Sequence, residues 1–200
     1  MCGSTIDSVT AGTIICGVGA FFILSGKAEY IWLGSAVFII GTMQFIDALI
    51  WILKAQNIST KFVSKYGVIL ILMLELIIAY LGYVFYYKKR IELYEIALLL
   101  FIIVSGNEWI SLCKDTIVTN DGYLKWCNIN IPSSFKVLFI TFLLIPMLFF
   151  PILEHRLLAL GMIVGTWLYN YNHEAFGSRW CYGTVLYAIM ALGLFLYKSS

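Results

Sequence analysis

Read from its start, the chain is a succession of long apolar runs separated by short polar breaks, and seven of the runs approach the length of a membrane span. They fall at residues 9–25, 30–53, 66–87, 93–110, 135–153, 157–171 and 181–197, against the roughly 20 mainly apolar residues that a helix needs to cross hydrocarbon. The runs are continuous rather than alternating, which predicts helices and not barrel strands. The expected architecture is all-α: a polytopic, seven-transmembrane helix bundle forming one domain over residues 1–200. The one long break, Ser111 to Ser134, holds an Asn120-Asp121-Gly122 turn signal and Pro132, and reads as a cap between the fourth and fifth runs. The first run follows Asp7 without a basic stretch ahead of it, so it is read as a helix and not as a cleaved leader. Pro146 and Pro151 predict a kink in the fifth run. The Gly161–Gly165 spacing in the sixth predicts close helix packing, with self-association into a homo-oligomer as the weaker reading.

Composition agrees: 62% of residues are hydrophobic, 12% are charged and the mean hydropathy is +0.92, values that no soluble domain could cover. The bilayer is the expected partner. A net charge of +2 without a basic tract gives no reason to expect nucleic acid. Seven spans put Lys27, Lys88, Lys89, Arg90, Arg156 and Lys198 on the side of the C-terminus, and Lys54, Lys61, Lys65, Lys114, Lys125, Lys136 and Arg179 on the other. Those counts do not set orientation, but Lys88-Lys89-Arg90 is the densest cluster. The Asn57-Ile58-Ser59 sequon and Cys113, Cys127 and Cys181 all lie opposite it. The expected placement is N-terminus outside or lumenal and C-terminus cytoplasmic, with Asn57 a candidate glycosylation site. Two of the three cysteines could form a disulfide, Cys113–Cys127 and Cys127–Cys181 both fitting, as do three free thiols. Cys16, in a Gly/Ala-rich stretch, reads as a packing residue. No Cys/His spacing indicates a metal, and nothing identifies a cofactor.

The polar residues inside the runs carry the remaining signal, because a charge at the bilayer centre costs about 2.5–3.5 kcal/mol and needs a partner or water. Gln44, Asp47 and Trp51 share one broad face of the second run, beside a small-residue strip of Gly34, Gly41 and Ala48. Glu75 lies mid-way along the third, on a face continued by Ala79, Gly82 and Tyr86. Asn107 and Glu108 end the fourth run, Asn170, Asn172, His173 and Glu174 end the sixth, and Arg179 opens the seventh. Alternating chain direction gathers these toward one end, as a vestibule. The candidate solute- or ion-binding set is Gln44, Asp47, Glu75, Asn107, Glu108, Asn170, His173 and Arg179. A plainer reading stands beside it. Helix-end residues are ordinary at headgroup depth, Trp51, Trp109, Trp126, Trp167 and Trp180 suit an aromatic belt, and Arg179 would pair with Glu174 or Glu108.

Met43-Gln44-Phe45-Ile46-Asp47 with Trp51, and Gly177-Ser178-Arg179-Trp180-Cys181, resemble paired elements of an uncharacterised family of small seven-helix membrane proteins of large DNA viruses and protists. Asp47 stands where that pattern has glutamate and Tyr182 where it has tryptophan. The resemblance implies a helix count and a viral or protist origin, and no reaction. Better-known seven-helix chemistries meet obstacles: Lys198 follows the last run, so no retinal Schiff base can form within it, and His155 and His173 fall on opposite sides, too few for a zinc hydrolase. The favoured expectation is transport or permeation of a small solute, cation or proton through the vestibule, with Asp47 and Glu75 as the working acids. The alternatives are a non-catalytic membrane-organising or interaction protein, in viral membrane remodelling for example, and a membrane-embedded hydrolase or lipid-modifying enzyme using Asp47, Glu75, Glu108 and His173.

Overall fold

A computed structural model describes residues 3–90, 92, 96, 100, 104, 111–129, 141, 144, 147–170, 173, 175 and 179–199, the side chains of 180–182 and 199 excepted. The described chain is mostly helical: α1 is Thr5–Leu24, α2 Ala28–Ala55, α3 Ile69–Tyr87, α4 Leu153–Asn170 and α5 Trp180–Ser199. A π-helical turn, Val63–Val68, leads into α3. The cap departs from an all-α expectation, with a small antiparallel hairpin of β1 (Ile117–Val118) and β2 (Leu124–Lys125) followed by a 3-10 turn at Trp126–Asn128.

Seven spans were expected; among the described residues three stretches, Thr5–Leu24, Ala28–Ala55 and Val63–Tyr87, are long and apolar enough to cross a membrane. α5, a 20-residue helix, is described with its side chains only over Gly183–Lys198, an apolar stretch shorter than those three. α4 starts at Leu153, ahead of the expected 157, and so draws Glu154, His155 and Arg156 into the helix. The run expected at 93–110 lies mostly outside the described residues, and the run expected at 135–153 is described at 141, 144 and 147–153, where helix at 147–148 gives way to an irregular stretch over 149–152. Within the first of them Ile96, Leu100 and Val104 are helical and exposed, a stripe at four-residue spacing.

Ser4 starts α1 by accepting the Asp7 backbone N–H at 3.2 Å while its hydroxyl donates to the Asp7 carboxylate at 2.9 Å, a reciprocal cap of the kind that satisfies orphan donors. Gly26, at φ +71, then reverses the chain into α2. The two helices close on the glycine strip. A Cβ at Gly34 would stand 2.6 Å from the Gly19 carbonyl oxygen, and one at Gly41 would stand 2.6 Å from the Cys16 sulfur. α3 packs on α2 with Trp32 laid across Gly82, the indole N–H donating to the Ala79 carbonyl at 3.1 Å, and with Ile46 against Gly67 further along. α5 lies on α1 through Phe21–Phe195 and Ala11–Val185, so these two helices run parallel. α4 is antiparallel to α5, Thr166 meeting Gly183 at one end and Glu154 bonding Lys198 at the other. The outer surface is apolar, with Leu24, Phe62, Leu70, Phe85, Leu168 and Leu186 all exposed, as expected of a lipid-facing surface. Among the described residues, a Cβ at Gly161 or Gly165 would meet nothing within 4 Å.

Paired substitutions follow. Gly34→Ala should lower the unfolding temperature in detergent, since the added methyl displaces backbone and overpacking costs about 1–3 kcal/mol. Gly161→Ala should be neutral or raise it, gaining up to about 1 kcal/mol of helix propensity. Equal effects of the two, read by a thiol-reactive dye in a thermal ramp, would refute the packing.

Candidate functional site

The cap is built to hold one side chain down. The Asn120-Asp121-Gly122 turn forms with Gly122 at φ +83, and Thr119 exchanges backbone bonds with Tyr123 (2.8 Å) and Gly122 (2.9 Å). A disulfide joins Cys113 to Cys127 with Cα atoms 4.5 Å apart. Both of its residues are buried, and the Lys114 N–H reaches the Cys127 carbonyl at 2.9 Å beside it. Trp126 is thereby presented to the bundle. Its indole N–H donates to Asp47 Oδ1 at 2.7 Å, across 79 residues of sequence.

Asp47 is completely buried, and its other oxygen has no hydrogen-bond partner. Around this pair pack Met43, Ile50, Val68, Ile69, Leu72 and Leu124. Trp126 had suited an aromatic belt at the bilayer surface; instead it turns inward, because a buried carboxyl has more need of a donor than a headgroup region has of an indole.

The cap is fastened to both halves of the bundle. On one side the Asp115 carboxylate accepts from the Ser59 hydroxyl (2.7 Å), the Thr60 N–H (2.7 Å) and the Lys61 N–H (2.9 Å). It therefore caps, from a distant segment, the helical stretch that begins at Lys61. Thr116 adds bonds from Lys54 to its carbonyl (2.9 Å) and from its N–H to the Thr60 hydroxyl (2.9 Å), and its hydroxyl meets that of Ser64 at 2.5 Å. The Ser59 hydroxyl, followed by the Thr60 and Lys61 backbone, holds the Asp115 carboxyl below its usual range.

On the other side His173 Nδ1 accepts the Ala175 N–H at 3.0 Å, which leaves Nε2 as the protonated nitrogen, 2.6 Å from the Asp121 carboxylate. The Thr119 hydroxyl, then His173, lowers the Asp121 carboxyl. The Arg179 guanidinium lies over the rings of Tyr123 and Tyr169, at 4.9 and 5.1 Å from their centroids, a pair of cation–π contacts; Glu174 and Glu108, the ion-pair partners expected for it, lie outside the described residues.

The expected vestibule set is therefore distributed. Gln44 is buried against Gly12 of α1 and is bonded. Glu75 is buried. The α2–α3 contacts at Trp32 with Ala79 and Gly82, and at Ile46 with Gly67, set Glu75 about nine residues from Asp47 along the helices, about 13 Å at helical rise. The two acids do not share a point. Asn170 is buried, its amide bonded to the Thr166 carbonyl at 2.9 Å and its Oδ1 unpartnered. His173 has both ring nitrogens engaged, Nδ1 by the Ala175 N–H and Nε2 by the Asp121 carboxylate. Asn107 and Glu108 lie outside the described residues. No group of three or more His, Cys, Asp or Glu is placed to hold a metal among the described residues. Asn57 is exposed at φ 55, while the serine of its sequon is tied to Asp115. Cys127 pairs with Cys113, which removes the Cys127–Cys181 alternative; the Cys181 side chain is outside the described set. Trp126, Asp115, Asp121 and Tyr123 were not foreseen as functional. Only the turn signal beside them pointed to order.

Trp126→Phe should cost about 1–3 kcal/mol by stranding the Asp47 carboxyl, and adding Asp47→Leu should restore most of the loss. A double-mutant cycle by thermal unfolding checks this; additive losses would count against the contact. Asp115 gives a pH signature. Its lowered carboxyl contributes stability that is complete above the unfolded value of about 3.9 and is lost as pH falls through the folded value. Exchange protection of the Thr60 and Lys61 amides should fade in that acid window, and Asp115→Asn should weaken it at neutral pH.

No known protein family, curated protein or solved structure matches the chain, so its function is argued from this geometry.

Proposed function

We propose that the chain is a seven-span membrane protein with a non-catalytic, membrane-organising or interaction role, its disulfide-stapled cap presented to partners on the non-cytoplasmic side. The seven-span reading is supported by where described residues lie. Tyr87, at the end of α3, donates to the Phe149 carbonyl at 2.6 Å, so chain near residues 88 and 149 shares one end of the bundle, the turn end. The intervening cap, residues 111–129, packs at the opposite end. Described chain is therefore found at the turn end, then at the cap end, then again at the turn end, which supports two traverses beyond the five helices. A buried disulfide fits an oxidising compartment and Lys88-Lys89-Arg90 lies at the other end, which favours the N-terminus outside or lumenal and the C-terminus cytoplasmic.

The observation that carries the role is the Trp126–Asp47 bond under a cap anchored to both halves. It closes the one end where a polar entry was expected, and leaves the acids apart. A second reading, permeation of a proton or cation, draws on the unpartnered Asp47 oxygen and on Glu75. In that case the cap is a plug, and this is its closed state.

Ion flux in proteoliposomes separates them. The organising role predicts wild-type proton and potassium flux no greater than that of protein-free vesicles, and Asp47→Asn losing stability. Wild-type flux that disappears in folded Asp47→Asn or Glu75→Gln protein would overturn it in favour of permeation.

A further inference from the structure

At the turn end, His155 in the first turn of α4 is completely buried, and neither ring nitrogen has a hydrogen-bond partner. A neutral imidazole carries one donor and one acceptor, and buried polar groups are nearly always paired. This one is enclosed by rings instead. Phe22 of α1, Tyr30 of α2 and Phe150 stand edge-on to it, with centroids at 6.1, 5.6 and 6.4 Å. Phe195 of α5 closes the cluster, 4.7 Å from Tyr30 and 5.7 Å from Phe22. Both halves of the bundle therefore meet at one titratable side chain.

Charged groups surround the cage at its rim. From α4 itself, Glu154 bonds Lys198 of α5 at 2.8 Å on the exposed rim, and Arg156 Nε donates to the Phe150 carbonyl at 2.7 Å. From α2 come Glu29 and the Tyr30 hydroxyl, with Lys27 over the Tyr30 ring at 5.9 Å. The last turn of α1 offers no titratable group. None accepts a proton bond from His155.

We propose that His155 is a proton-sensing latch: taking up a proton releases α4 and α5 from α1 and α2 at the turn end, while the cap end stays joined. An imidazolium in this cage has two N–H donors and no acceptor among the described residues, and edge-on ring packing offsets little of the lost hydration. Opening exposes the ring to water, where it binds a proton below about pH 6.5. The sign follows. The closed state holds the neutral ring, so its stability is complete above the exposed value and falls with pH below it.

The test is amide exchange of the wild-type chain in nanodiscs from about pH 7.5 to about pH 4.5, corrected for intrinsic chemistry. The opening constant for residues 153–160 and 191–198 should rise about tenfold per pH unit below about 6.5, with residues 111–128 unchanged. His155→Phe, an apolar ring for an apolar cage, should abolish the rise. No rise in wild type, or the same rise in His155→Phe, overturns the latch. Nitrogen-15 shifts of His155, assigned against His173→Gln, read it independently of that variant. An imidazolium signal should appear together with loss of protection, and an imidazolium in a still-protected α4 would also overturn the proposal.

Discussion

A carboxyl sealed among aliphatic side chains must be met by a donor, and the bundle around Asp47 supplies one only from outside its helices. Helix backbone donors are consumed within the helix, and the apolar cluster into which Trp126 packs, Met43, Ile50, Val68, Ile69 and Leu72, has nothing to give. The indole of Trp126 fills that need at 2.7 Å. The other cap features serve its placement. The hairpin sets the direction of the chain into Trp126, the Cys113–Cys127 bridge keeps the base of the loop narrow, and Asp115 fixes the loop to the start of the third helical stretch. Burial of both half-cystines makes this a static staple, because thiol exchange requires access to a sulfur.

The cap also holds the bundle together across its middle. Asp115, Thr116 and Trp126 engage α2 and the chain leading into α3, while Asp121 and Tyr123 engage His173 and Arg179 next to α4 and α5. These second contacts are partly exposed, and an exposed ion pair is worth little alone. The Tyr123–Arg179–Tyr169 stack adds planar contact that does not depend on charge separation. The cap end therefore combines one dry, specific bond with a set of adaptable ones.

Periodicity and hydropathy made the helices legible, including the Gly34–Gly41 strip that lets α1 approach α2, because the need for small side chains at a close crossing is a local property. The inward face of Asp47 was legible for the same reason: Gln44 and Asp47 sit three apart beside that strip. Depth along the bundle was less legible. Alternating chain direction places polar residues at one end but says nothing of depth, and Glu75 proves to be about nine residues from Asp47 by helix register. α4 began early because Leu153 and Leu157 flank three polar residues that a hydropathy window counts against a helix, whereas Glu154 at its first turn favours one. The partner of Asp47 was illegible in principle, since nothing local marks one tryptophan of six as the donor.

The two ends of the bundle solve the same problem in opposite ways, and this difference bears on where the molecule can move. Asp47 at the cap end is matched by a donor carried on a covalently closed loop, so disengaging it requires moving the cap as a unit. His155 at the turn end is matched by shape alone, and the contacts around it are rings and one exposed Glu154–Lys198 pair. Ring packing is non-directional and tolerates separation without stranding a polar atom, whereas breaking the Trp126 bond strands a carboxyl. Any opening that leaves the protein folded is therefore cheapest at the turn end, with the cap as its hinge. The cap end is thus held by a directed bond and the turn end by packing, and the two ends differ in what separating them would cost.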